Sequence, residues 1–149
     1  MNSELFFTPL FTELSPTVTA LVTRRGFNLC HYAPGSDLAE VERCRHELAV
    51  RFGVGDDRLF VPTQTHSARV AMPGDDLDGA DAIVTDRRRH ALVINTADCL
   101  PLLLADPEAG VIGAAHCGWR GTVAGIAVRT LERMISLGAS ADRICVAMG

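Results

Sequence analysis

Residues 100–121 read LPLLLADPEAGVIGAAHCGWRG, and the fold class turns on them. Two apolar runs, 100–105 and 111–116, flank Asp106-Pro107-Glu108-Ala109-Gly110, a turn signal, so the stretch predicts two strands joined at close range. After Gly121 the period changes. Val123, Ala127, Leu131 and Met134 or Ile135 recur at helical spacing and face inward, and Gly138 ends the helix. Residues 143–148 read as one more strand. Upstream, strands are expected at 17–23, 58–62, 68–72, 81–85 and 91–96. A helix is expected over 37–52, capped by Asp37 with Glu40 three residues on, with Leu38, Val41, Cys44, Leu48 and Phe52 on one face and Gly53 as its stop. Strands outnumber helices and short turns join many neighbours, which predicts an α+β fold with mixed sheets rather than a doubly wound parallel sheet.

The chain has 149 residues, 48% apolar and 21% charged, which suits one globular domain with a real core. A net charge of -4 without a long basic run argues against nucleic acid as the main partner. Five scattered cysteines (30, 44, 99, 117 and 145) fit reduced thiols in the cytoplasm better than a disulfide framework. Phe6, Phe7, Leu10 and Phe11 are flanked by Glu4 and Glu13 with no basic segment ahead of them, so no targeting signal is read there. No apolar run approaches the roughly 20 residues of a spanning helix, so no membrane partner is expected.

The chemistry concentrates in Gln64-Thr65-His66, Ala97-Asp98-Cys99 and His116-Cys117-Gly118-Trp119-Arg120-Gly121. Two imidazoles and one thiolate, His66, Cys99 and His116, suit a zinc ion and leave its fourth tetrahedral position open, as a catalytic site requires. Their ligand atoms should then lie within about 4 Å of one another even without metal. Taken singly, each has a plainer reading: His66 as a polar turn residue, Cys99 as a small core residue in the apolar stretch 92–104, His116 as a strand end. Asp98, in that same stretch, needs a partner or a purpose if buried. Cysteine and histidine from separate segments also admit a metal-free cysteine hydrolase, and two His with one Cys admit copper.

Arg120 is assigned to an anion, because a guanidinium at a helix start forms a bidentate bond with phosphate. Gly118 and Gly121 allow close backbone approach, and Trp119, the sole tryptophan, is either a pocket wall or core. Gln64 is a candidate to hydrogen-bond the base or water, and Asp98 to shuttle a proton. Cys117 should point away from His116 across the strand. Arg87-Arg88-Arg89-His90 reads as a solvated hairpin turn, and His31 and His46 as surface residues.

The segments Thr63-Gln64-Thr65-His66, Asp78-Gly79-Ala80-Asp81-Ala82-Ile83-Val84-Thr85, Thr96-Ala97-Asp98-Cys99-Leu100-Pro101 and Ala115-His116-Cys117-Gly118-Trp119-Arg120-Gly121-Thr122 resemble the signature of the laccase-domain, YfiH-type family. The resemblance runs in order from about residue 27 to residue 149. It implies a layered α/β/β/α fold with mixed sheets, and it carries the family's His, Cys and His metal ligands onto His66, Cys99 and His116. It also implies a zinc-dependent purine nucleoside phosphorylase acting on adenosine, inosine, guanosine and methylthioadenosine with phosphate, and adenosine deaminase activity. Members were earlier described as multicopper polyphenol oxidases, so copper is the alternative cofactor. Two departures stand out. Cys117 replaces the family's usual alanine, and the chain stops at Gly149 where family members continue. The expectation is a single domain over 1–149, truncated at its C-terminus and less stable for the lost cover on Ile144, Val146 and Met148.

Overall fold

The two runs in the opening stretch form the centre of the molecule. In the computed structural model, which describes residues 7–10, 17–24 and 26–149, they are β7 (Leu100–Asp106) and β8 (Val111–Cys117). They pair antiparallel along their whole length, from Leu100 opposite Cys117 to Asp106 opposite Val111. Asp106 closes the turn: its Oδ1 accepts from the amides of Glu108 and Ala109 at 3.1 Å each, and Gly110 takes the left-handed φ of 70°.

Around this hairpin the remaining strands are β1 (Phe7–Leu10), β2 (Ala20–Thr23), β3 (Leu59–Phe60), β4 (Val70–Ala71), β5 (Ala82–Thr85), β6 (Ala91–Leu92) and β9 (Cys145–Met148). The main sheet has the order β4-β5-β8-β7-β9, with β4 and β5 parallel and its other pairs antiparallel. A second sheet pairs β3 with β6 in parallel, and a third pairs β1 with β2 antiparallel. Mixed sheets and the α+β class are as the sequence predicts.

Among the described residues three α-helices cover them: α1 (Leu38–Phe52), α2 (Trp119–Val123) and α3 (Ile126–Ser136). α1 matches its prediction at both ends. Asp37 Oδ1 accepts from the amides of Ala39 and Glu40, and Gly53 ends the helix at φ 65°. Val41, Cys44 and Leu48 are buried, and the last two pack with Phe27, Leu29 and Val93 in one core cluster. Leu38 does not join them: at the first helical position it projects past the packed layer and is 59% exposed. α3 covers one face of the main sheet, where Ile126 and Met134 pack with Ala82, Val84, Leu102, Leu104, Val111 and Ala115. The opposite face, with Leu103, Ile112 and Ala114, fronts a cleft of about 650 Å³ whose far wall includes Leu21, Phe27, Leu29 and Val93. Helix, sheets and helix thus form layers on either side of that cleft.

Three expectations change. The helix expected after Gly121 begins earlier, at Trp119, and breaks at Gly125, whose φ is 83°. The break resets the inward register to Ile126, Thr130 and Met134, leaving Val123 at 83% and Ile135 at 47% exposure. The buried Thr130 hydroxyl donates to the Ile126 carbonyl at 2.7 Å, which satisfies it locally. Residues 87–90 are no hairpin turn, because β5 and β6 belong to different sheets; they cross between the sheets, with the three arginines exposed. The strands expected at 58–62, 68–72 and 91–96 shorten to two paired residues each, 59–60, 70–71 and 91–92, with single bonds continuing past them. Val93, for example, donates to the Phe60 carbonyl, and Arg69's carbonyl accepts from Asp81 and Ala82. In β9, Val146 and Met148 are 46% and 67% exposed, while Ile144 packs against the α3 core. No helix among the described residues is long and apolar enough to cross a membrane.

Candidate metal centre

Ladder geometry brings the first two donors together. Pro101 lies opposite His116 and Leu100 opposite Cys117, so Cys99, one residue ahead of β7, sits beside the end of β8. His66 arrives from the loop between β3 and β4. One ligand atom from each of His66, Cys99 and His116 lies within 4.8 Å of the others. Cys99 Sγ is 3.8 Å from His66 Nε2, and the two imidazoles meet edge to face with centroids 4.9 Å apart. Ligand bonds of roughly 2.0–2.3 Å place tetrahedral donors roughly 3.3–3.7 Å apart, so the trio fits a metal ion after a small contraction. Its span is slightly wider than the about 4 Å expected from the sequence. His116 is buried, Cys99 half-buried and His66 exposed, so the cluster opens to solvent on one side.

Gly118 sits in the middle of the trio. A β-carbon there would lie 2.6 Å from His66 Cδ2, 3.3 Å from Cys99 Sγ and 3.4 Å from His116 Cε1. Its φ of -67° suits any residue, so glycine is required here for space. Gly121 is required in the same way one turn later, where a β-carbon would press to 2.7 Å from the Ser67 carbonyl oxygen. These two glycines let α2 pack directly on the His66 loop.

The residue that sequence reading left unassigned is Asp81. In the sequence it stands at the polar start of the apolar strand 81–85, inside one of the four family segments, with no role attached to it. Its carboxylate is fully buried. Oδ2 accepts from His116 Nδ1 at 2.7 Å and from the His66 amide at 3.0 Å, while Oδ1 accepts from the amides of Thr65 and Ser67 at 3.0 and 2.8 Å. Three successive amides therefore wrap one carboxylate, an anion-binding concavity of backbone N–H groups. Burial pushes the Asp81 carboxyl up, but the His116 bond and the amides outweigh it and hold its pKa below the usual carboxylate range. The wrap also explains His66, whose φ of 62° is left-handed and costs a side-chain-bearing residue roughly 1–2 kcal/mol. Charge-assisted bonds to Asp81 offset that cost.

The other candidates are placed as follows. Gln64 is committed to backbone: its Nε2 donates to the Asn95 carbonyl at 2.7 Å and its Oε1 accepts from the Asn95 amide at 2.8 Å. It braces the His66 loop against the segment leading to Cys99. Asp98 is exposed, so it carries no burial cost, and its Oδ1 lies 3.7 Å from Cys99 Sγ. Burial first, then Asp98, push the Cys99 thiol up. That direction opposes a free nucleophilic thiolate and is the one a bound cation reverses. Trp119 is 70% exposed rather than core, and the Arg120 guanidinium lies 5.3 Å from its ring centroid. Arg120 is exposed on the same short helix, inside its first turn rather than ahead of it. Cys117 packs on the α3 side, away from His116, as the strand alternation predicts. His31 and His46 are exposed, held by Arg45 and Asp56.

Comparison with known proteins agrees with this architecture. A family model described as multi-copper polyphenol oxidoreductase laccase matches residues 19–149. The purine nucleoside phosphorylase of Deinococcus radiodurans is 47% identical over 116 residues, covering 76% of this chain and 45% of that protein. Adenosine deaminase RL5, from an unknown prokaryotic organism, is 43% identical over 136 residues, covering 83% of this chain and 52% of that protein. The crystal structure of Neisseria meningitidis protein NMB0706 superposes with a TM-score of 0.84 at 26% identity, covering 97% of this chain and 62% of that one. The chain spans about half the length of the curated relatives it matches. With the four motifs in order and the match running from residue 19 to residue 149, the chain belongs to the multi-copper polyphenol oxidoreductase laccase family.

Proposed function

We propose that this chain carries a zinc-dependent centre for phosphate-dependent cleavage of purine nucleosides, adenosine, inosine, guanosine and methylthioadenosine among them, with adenosine deamination at the same centre. The observation that carries the reading is the convergence of His66, Cys99 and His116 around a glycine that must lack a side chain, with one side open. The names of the relatives supply the substrate class. His66, Cys99 and His116 would hold the zinc ion, which would supply Lewis acidity and a lowered pKa for bound water.

The chain's own residues do the rest. Arg120 binds phosphate through its two-pronged guanidinium and holds it against the ribose. A phosphate oxygen bonds to the anomeric carbon as the glycosidic C–N bond breaks, its electron pair leaving with the purine, which takes up a proton. Trp119 walls the base, and Gly118 and Gly121 let α2 pack close against the three donors and the His66 loop, which brings Trp119 and Arg120 beside the centre. In deamination, Asp98 accepts a proton from the attacking water and returns it to the departing amine, so that adenosine and water give inosine and ammonia. Gln64 holds the His66 loop in place for both reactions.

The copper oxidase reading rests on the description of the family model. Among the described residues, the trio is the single group of three donors, and the remaining histidines are engaged elsewhere: His31 with Arg45, His46 with Asp56, His90 with Arg58 and Thr85. A multicopper cluster needs more imidazoles than that. The test is metal content after purification without added metal, with nucleoside assays with and without phosphate. Free base with ribose 1-phosphate, or deaminated nucleoside, from zinc-loaded protein is the expected result. Absence of both products from protein holding one zinc per chain overturns the activity.

A further inference from the structure

We infer that Asp81 is the positioning residue that presents both histidines of the metal centre at once, through a single carboxylate. The inference rests on the metal-site reading above and extends it to a residue outside the donor set.

Two histidines on different segments have to offer lone pairs to one point. His116 comes from β8, and His66 from a loop whose own conformation is unfavourable. Asp81 Oδ2 touches both, accepting from His116 Nδ1 and from the His66 amide. At His116 the consequence is chemical. A carboxylate without a proton only accepts, so Nδ1 must carry the hydrogen, and Nε2 is the nitrogen left with a free lone pair. Free imidazole does not make that choice unaided. At His66 the consequence is conformational. The Thr65, His66 and Ser67 amides turn inward around Asp81, and that turn requires the left-handed backbone at His66 which lifts its ring toward Cys99. The His116 amide donates to the Asp81 backbone carbonyl at 2.7 Å, so β5 and β8 hold the two residues in fixed register. A carboxylate that accepts the other ring hydrogen of one histidine ligand is common at metal centres. Here one carboxylate sets the tautomer of one ligand and the backbone of the other.

Asp81→Asn isolates this role because it keeps the shape and changes the donor pattern. The asparagine oxygen at the Oδ1 position still accepts from the Thr65 and Ser67 amides, but an NH₂ at the Oδ2 position leaves the His66 amide without its acceptor, makes His116 Nδ1 the acceptor and moves the ring hydrogen to Nε2, the ligating atom. Two measurements follow. In metal-free wild type at pH 8, nitrogen-15 NMR of the imidazoles should find the His116 hydrogen on Nδ1, and in Asp81→Asn on Nε2. Zinc affinity, measured by competition with a chromophoric chelator, should fall by about 10–100-fold in Asp81→Asn. Asp81→Glu keeps the acceptor and should retain the wild-type tautomer. A wild-type His116 hydrogen on Nε2 overturns the inference even if Asp81→Asn fails to fold. Unchanged zinc affinity in a folded Asp81→Asn overturns it as well. If wild type binds no zinc, the metal-site reading fails, and the tautomer measurement still decides the role of Asp81.

Discussion

Gly118 leaves no room for a side chain beside His66: a β-carbon on residue 118 would lie 2.6 Å from the His66 ring. Real β-carbons do not approach so closely, so any larger residue must displace His66, Cys99 or His116. Gly118→Ala should therefore weaken zinc binding by at least about tenfold. Its backbone angles suit alanine and His66 lies on an exposed loop, so the denaturation midpoint should stay close to wild type. Chelator competition and circular dichroism check the two halves. Undiminished zinc affinity would show that the three side chains do not act together.

Metal removal separates the zinc reading from a cysteine hydrolase. Zinc-loaded protein should resist alkylation at Cys99, lose that resistance on dialysis against a chelator, and regain it with added zinc. Nucleoside turnover should follow the same cycle. Peptide mapping by mass spectrometry distinguishes Cys99 from the other four thiols. Turnover that survives the chelator and dies with alkylation of Cys99 would favour the thiol as nucleophile.

Arg120 is assigned to phosphate and not to metal. Arg120→Ala should lower phosphate-dependent cleavage by about tenfold or more while leaving zinc content at the wild-type level. Arg120→Lys should restore only part, since an ammonium lacks the two-pronged geometry. Because Arg120 is exposed, stability should change by no more than about 0.5 kcal/mol. Equal rates in all three proteins would place the anion elsewhere.

Asp106 governs acid stability. Burial would raise its pKa, but bonds from Arg143 and from the Ser140 and Ala109 amides outweigh burial and hold it at about 2, against an ordinary 3.8. A depressed folded-state value means the ionised form stabilises the fold above about pH 4. That contribution is lost as pH falls toward about 2. Asp106→Asn should cost on the order of 1–3 kcal/mol at pH 7, since the Ser140, Glu108 and Ala109 amides lose an ionised acceptor, while Arg143 keeps Glu108 at 3.4 Å. Its urea midpoint should then vary less than wild type between pH 5 and pH 2. Parallel pH profiles of the two proteins would contradict this.

Much of the fold is legible in local pattern. The β7–β8 hairpin shows in two apolar runs around Asp106-Pro107-Glu108-Ala109-Gly110, and α1 shows in its spacing and in Asp37 and Gly53 at its ends. Those signals are local: turn chemistry, capping and side-chain period act within a few residues. The same local reading misplaces Leu38 and Val123, because exposure depends on what packs opposite, and it misreads residues 87–90 because sheet membership is not written in a turn.

At the site the division follows the same line. The sequence by itself determined the donor types, the glycines and the motif order that mark His66, Cys99 and His116 as a set. Tertiary structure alone decided that Asp81 serves two of them, that Gln64 is spent on Asn95, that Asp98 is exposed, and that Gly118 is needed for space rather than for backbone freedom. The physical reason is distance along the chain. Asp81 and His116 are 35 residues apart and Gln64 and Asn95 are 31 apart, and hydrogen bonds of that span exist only once β5 has paired with β8 in the main sheet and β3 with β6 in the second.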